Sequence, residues 1–105
     1  MTLPTSAEIA VATGAIRAEA AIWDQCSATL TTAREATWAM PIDGVPDASI
    51  FAEFVTAYND VVALVHDRFR QGSTHTADVG TALRTVADTY DAEEQASLHA
   101  WHNLY

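Results

Sequence analysis

The 105-residue sequence predicts an all-α fold: an antiparallel helical hairpin that completes a four-helix bundle with a partner. Three observations carry that prediction. Large apolar residues recur at sevens and eights from Ile9 to Trp38, a second apolar run alternates fours and threes from Phe51 to Tyr90, and the densest helix-breaking stretch lies between the two runs. A chain of this length is near the lower end of single-domain size, so residues 1–105 are expected to form one domain.

Helix 1 is predicted over about residues 6–39. Thr5 and Glu8 have the three-residue spacing of a capping box, in which each side chain accepts from the other's backbone N–H. Gly14 costs about 1 kcal/mol against alanine but does not end a helix. Ile9, Ile16, Trp23, Leu30 and Trp38 fall on one stripe, with Ala12, Ala20, Cys26 and Ala33 filling the spaces, so Cys26 is read as a small buried residue. Arg17, Asp24 and Thr31 are assigned to the opposite, polar face.

The segment Met40-Pro41-Ile42-Asp43-Gly44-Val45-Pro46-Asp47 has two prolines and a glycine and continues neither helix. Asp47 or Ser49 then offers an N-cap for helix 2, predicted over about residues 49–102. Its seam runs through Phe51, Val55, Tyr58, Val62, Val65, Phe69, Gly72, Thr76, Val79, Leu83, Val86 and Tyr90 without a slip. Gly72-Ser73-Thr74 is the place for a bend or break, but the unbroken phase favours one long helix. An antiparallel partner for a helix of about 34 residues, roughly 50 Å, would match helix 2 only to about residue 83, so Tyr90 and the residues after it would overhang. Two helices cannot enclose a core, and the stripes on both would stay half exposed in a lone hairpin. A partner is implied, either a second copy or a similar chain.

Fourteen Asp and Glu against five Arg and no Lys give a net charge of −9. Such a surface repels phosphate backbones and anionic headgroups, which argues against direct nucleic-acid binding and leaves an acidic DNA mimic as a minor alternative. A single cysteine makes no internal disulfide. No window approaches the roughly 20 apolar residues of a membrane span, and Met1-Thr2-Leu3-Pro4 lacks the basic and apolar parts of a signal peptide, so export would need another route.

Chemistry is hard to place. Of the four histidines only His99 and His102 have a spacing that shares a helical face, no carboxylate completes them, and Glu-x-x-His repeats are absent. The cluster Asp88, Asp91, Glu93 and Glu94 reads as a solvated helix surface, and no glycine-rich phosphate loop or activated nucleophile is present. No catalytic residue, metal or cofactor is expected, and the chain is read as a non-enzyme. Tyr90, Glu94, Leu98, Trp101 and Tyr105 recur on one face, which suits either a helix-in-groove ligand or closure of the bundle end.

These residues bring a family into view. The layout of helix, Pro/Gly turn and helix, with Tyr90-Asp91-Ala92-Glu93-Glu94 near the end, resembles the small helical substrates of actinobacterial type VII (ESX) secretion. Tyr90 and Glu94 match that family's Tyr-x-x-x-Asp/Glu export signal. His75-Thr76-Ala77-Asp78-Val79 and Leu83-Arg84-Thr85-Val86-Ala87-Asp88-Thr89-Tyr90 look like the EspC-like branch. The Trp-x-Gly turn of the sister WXG branch is replaced by Trp38-Ala39-Met40, with Gly44 later. The resemblance implies a signal segment over about residues 88–105, recognition of Tyr90 and Glu94 by a membrane secretion ATPase, and secretion from the cytoplasm to the exterior or cell envelope. It also implies travel as a folded dimer with itself or a related helical protein, with a larger co-secreted effector as the cargo it would serve. The competing expectation is an intracellular acidic binding module, an immunity protein or chaperone that neutralises a basic toxin and stays in the cytoplasm.

Overall fold

A computed structural model describes residues 3–103, in which two long helices pack antiparallel as a helical hairpin. Helix α1 spans Ser6–Ala36 and runs into a 3-10 turn, Thr37–Ala39; helix α2 spans Ala52–Asn103. No helix among the described residues is long and apolar enough to cross a membrane.

Local chemistry sets the helix ends. The Glu8 N–H donates to Thr5 Oγ1 at 3.1 Å and the Thr5 N–H donates to Glu8 Oε2 at 3.2 Å, the reciprocal pair of a capping box. At the other end α1 stops short of residue 39 because the last turn tightens. Thr37 Oγ1 donates to the Arg34 carbonyl at 2.5 Å, and the Met40 N–H reaches Thr37 O at 3.1 Å. In the connector Gly44 takes a φ of 74°, a left-handed conformation that favours glycine. The Asn59 amide then holds Ile42 at both backbone groups, each at 2.9 Å, so the connector lies along the start of α2. Ser49 Oγ accepts from the Phe51 N–H at 3.1 Å and Ser49 O from the Ala52 N–H at 3.2 Å, which makes Ser49 the capping residue of the two candidates. Helix α2 passes through Gly72-Ser73-Thr74 unbroken.

The chain divides into two compact units. The first joins the N-terminal stretch through Asp24 to α2 from Ala77 onward. Ala20, Gly80 and Ala87 are buried there, and a Cβ on Gly80 would sit 3.2 Å from the Ala20 carbonyl, so the helices approach closely through small residues. Ion pairs flank that contact. Arg17 bridges Asp88 at 2.6 Å and Asp91 at 2.8 Å, and Arg84 pairs with Asp24.

The second unit is Gln25–Thr76, and its helix contact is rich in hydroxyls. Ser27 Oγ donates to Ser73 O at 2.8 Å, and Thr31 Oγ1 donates to Ser27 O at 3.0 Å. With both of those protons committed, the Ser73 hydroxyl supplies the proton for its 2.8 Å contact with Thr31 Oγ1. Val62 is the buried apolar side chain of this unit.

Several expectations need correcting. Arg17, Asp24 and Thr31 face α2 and bond to it, instead of lying on the opposite side of α1. Cys26 is exposed and so is Ala12, because the contact stripe of α1 passes through Thr13, Ala20 and Ser27 and on to Thr37 in the 3-10 turn. Cys26 lies one residue from Ser27, about 100° round the helix. Along α2, the covered side carries Asn59, which meets the connector, His66, which meets the 3-10 turn, and Ser73, Gly80 and Ala87, beside the half-buried or buried Val55, Val62, Phe69, Thr76 and Leu83. Phe51, Val65, Val79 and Val86 lie exposed on the other flank of that line, as does Trp38 at the end of α1. Ile9, Ile16, Trp23, Leu30 and Tyr58 are half-buried. The intramolecular seam is therefore narrower and more polar than the apolar pattern, and it is rotated away from part of it.

Candidate functional site

The expected overhang beyond residue 83 is not what the first unit contains. Its two helical stretches run antiparallel, with Arg84 at Asp24 and Arg17 opposite Asp88 and Asp91, so each later stretch of α2 meets an earlier part of α1. Carried onward, this register sets the C-terminal stretch of α2 beside the N-terminus of α1.

The result is a cleft of about 640 Å³. One wall is α2, with Tyr90, Glu93, Glu94, Ser97, Leu98 and Trp101; the other is Leu3, Pro4, Ser6 and Ile9. A neighbouring hollow of about 320 Å³ shares Pro4, Ile9 and Tyr90, so the tyrosine stands between two concavities. Pro4 precedes the Thr5–Glu8 capping box that starts α1, and Ile9 follows in its first turns to line the cleft.

Helical spacing does the rest. Tyr90, Glu94, Leu98 and Trp101 are separated by four, four and three residues and all line the one cleft. Tyr90 and Leu98 keep about half their surface exposed, and Trp101 more than half. Glu94 is half-buried, and its Oε1 is enclosed with no hydrogen-bond partner among the described residues. A carboxylate oxygen held in that way costs free energy until a donor reaches it. Tyr105, the last residue of the predicted docking stripe, lies outside the described residues.

The acidic cluster is divided between two situations. Asp88 and Asp91 are engaged by Arg17, whose own pKa is pushed further up by its hydrogen bonds to Asp88 and then Asp91. Glu93 and Glu94 turn to the cleft instead. The arrangement offers apolar walls, aromatic faces and carboxylates, which suits an apolar side chain ending in a cation. His99 Nε2 is 3.2 Å from the Asn103 amide, and among the described residues no three His, Cys, Asp or Glu side chains group as metal ligands would.

Sequence reasoning placed the α2 wall and missed the other. Leu3, Pro4 and Ser6 carry no periodic signal, and Ile9 read as seam; only the register of the two helices brings them to Tyr90. Fold and site together define a helical-hairpin protein with a C-terminal aromatic and acidic cleft. No family model, curated protein or solved structure matches the chain.

Proposed function

We propose that this protein is a non-enzymatic substrate or targeting partner of a type VII secretion system. It is made in the cytoplasm and delivered to the exterior or the cell envelope. It pairs with itself or with a related helical protein to complete a four-helix bundle, and it presents Tyr90 and Glu94 to the secretion ATPase, carrying a larger effector with it where one is co-secreted. The observation behind this reading is that Tyr90 and Glu94, one helical turn apart, line the same exposed cleft, with a Glu94 oxygen enclosed and unmatched.

The mechanism is a docking event. An apolar group of the receptor enters between Tyr90, Leu98 and Trp101 while a basic side chain reaches Glu94, giving Oε1 the charge-assisted contact it lacks among the described residues. Both residues can be changed without touching the buried contacts around Ala20, Gly80 and Ala87.

The test is secretion from a host with an intact type VII apparatus, comparing culture filtrate with cell pellet. Wild type is expected in the filtrate, and Tyr90→Ala and Glu94→Ala in the pellet with unchanged helical circular dichroism. Wild type confined to the pellet would instead favour the intracellular acidic binding module, whose affinity for a basic partner falls steeply with salt.

A further inference from the structure

The cleft at Tyr90 has a second wall that the export signal does not include. Leu3, Pro4, Ser6 and Ile9 line it together with Tyr90 and Leu98, and both walls belong to the same compact unit. Leu3 is 82% exposed, so it contributes little to the packing of the hairpin and forms an open edge of the cleft. Pro4 and Ile9 do more: with Tyr90 they line both the main cleft and the adjoining hollow of about 320 Å³. The Thr5–Glu8 capping box lies between Pro4 and Ile9, and its two reciprocal hydrogen bonds fix the backbone that carries this wall.

We propose that the docking site is composite. Leu3, Pro4 and Ile9 supply one jaw, Tyr90, Glu94 and Leu98 the other, and the occupant is an apolar peptide segment carrying a cationic side chain. The proposal deepens the export reading and rests on it for the occupant's being a secretion receptor; the two jaws and the chemistry of the occupant rest on the cleft itself. Its volume of about 640 Å³ lies within the range of sites that enclose a ligand and is far more than one ordered water fills. Because the jaws come from opposite ends of the sequence, the site exists only in the folded hairpin. An unfolded chain that still carries Tyr90 and Glu94 presents half of it.

Charge complementarity selects the occupant. Glu93 and Glu94 line the cleft, and among the described residues no Arg, Lys or His does. The two arginines of this unit are engaged elsewhere, Arg17 by Asp88 and Asp91 and Arg84 by Asp24. The cation that matches the enclosed Glu94 Oε1 therefore comes from another molecule. A guanidinium suits the place, because it is weakly hydrated and stacks on an aromatic ring while forking onto a carboxylate. An apolar neighbour of that cation then lies between Leu3, Ile9 and Leu98. A wholly apolar occupant such as a lipid chain would leave Glu94 Oε1 unmatched, and an anionic one would be repelled by a chain of net charge −9.

The experiment is a titration of the full chain with acetyl-Leu-Leu-Arg amide, followed by backbone amide NMR shifts, with the glutamine counterpart of the probe for comparison. Amides of residues 6–10 and 90–101 are expected to move together on one binding curve. The glutamine probe, and the arginine probe against Glu94→Gln, are expected to bind at least about tenfold more weakly. Leu3→Ser and Ile9→Ser should each weaken the arginine probe about three- to tenfold with helical circular dichroism kept. Val11→Ser, at a position 74% exposed on α1 and outside the cleft, should leave binding unchanged. Absence of saturable binding, shifts confined to residues 90–101, equal binding of the glutamine probe, or full affinity in Leu3→Ser and Ile9→Ser overturns the proposal. Leu3→Ser decides alone if Ile9→Ser loses helix. In the secretion assay both variants are expected to lower export. Export lost in Tyr90→Ala but complete in Leu3→Ser and Ile9→Ser sinks the composite site and leaves the export reading standing. Wild type confined to the pellet, with the arginine probe still bound by both jaws, sinks the export reading and leaves the site.

Discussion

Thr37 shows how a single buried hydroxyl decides the chemistry of a neighbour. Its proton goes to the Arg34 carbonyl at 2.5 Å, so the 2.6 Å contact with His66 Nδ1 requires the imidazole to donate. His66 is therefore held with its proton on Nδ1, and the Trp38 ring packs edge-on against it with centroids 4.4 Å apart. Thr37→Val removes the acceptor and strands a half-buried N–H, for an expected loss of about 1–2 kcal/mol in urea unfolding, together with a change in Trp38 fluorescence. Asp67 makes a different prediction. The hydrogen bond from Arg70, at 2.7 Å, holds its carboxyl below the usual carboxylate range, assisted by Gln71 and against a smaller desolvation. Because its folded value is depressed, the stability it contributes is present above the ordinary carboxylate pKa and is lost as pH falls through the lowered value. Carboxyl-carbon NMR should find Asp67 titrating below an exposed aspartate in the same chain, and Arg70→Ala should return it to the ordinary range. Both side chains are well exposed, so the effect on stability itself is small.

At the scale of the helices, the glycines separate propensity from packing. Gly14 lies in α1 with nothing within 4 Å of an added Cβ, so Gly14→Ala should stabilise the chain by about 1 kcal/mol, read as a higher thermal midpoint. Gly80 is the opposite case. A Cβ there meets Asp24 Oδ1 at 2.7 Å and the Ala20 carbonyl at 3.2 Å, and a leucine would have to push the helices apart. Gly80→Leu is expected to cost about 1–3 kcal/mol despite leucine's better helix propensity. Element limits were close to legible because caps and turns are local: Thr5 and Glu8 bond as their spacing predicts, and α2 stays continuous where its apolar phase was continuous. The contact faces were less legible. Periodicity finds the apolar side of a helix, but the α1–α2 contact is made largely by alanine, glycine, serine and threonine, which carry little hydropathy signal. Ser27, Ser73, Gly80 and Ala87 were therefore passed over in favour of Phe51, Val65, Val79 and Val86.

For the whole molecule, the same imbalance is the functional statement. The hairpin keeps its small and hydroxyl-bearing residues for itself and leaves aromatics and valines outside, the surface pattern that supports the proposed pairing with another chain. The cleft of Tyr90 and Glu94 should govern export, read in culture filtrate, and Tyr90→Ala should lose that readout with the helical content kept.

By itself the sequence determined the helices, the capping box at Thr5, the break over residues 40–47 and the acidic charge, because each depends on residues close together in the chain or on a simple count. It also placed Tyr90, Glu94, Leu98 and Trp101 on one side of α2, since helical geometry repeats every turn. The tertiary structure decided the register. In the second unit the Asn59 amide ties the connector to the start of α2; in the first, Arg17 meets Asp88 and Asp91, and Leu3 and Pro4 wall the cleft. Register depends on close approach between small side chains and on single hydrogen bonds made across the hairpin, and no periodic pattern along one helix records the position of the other.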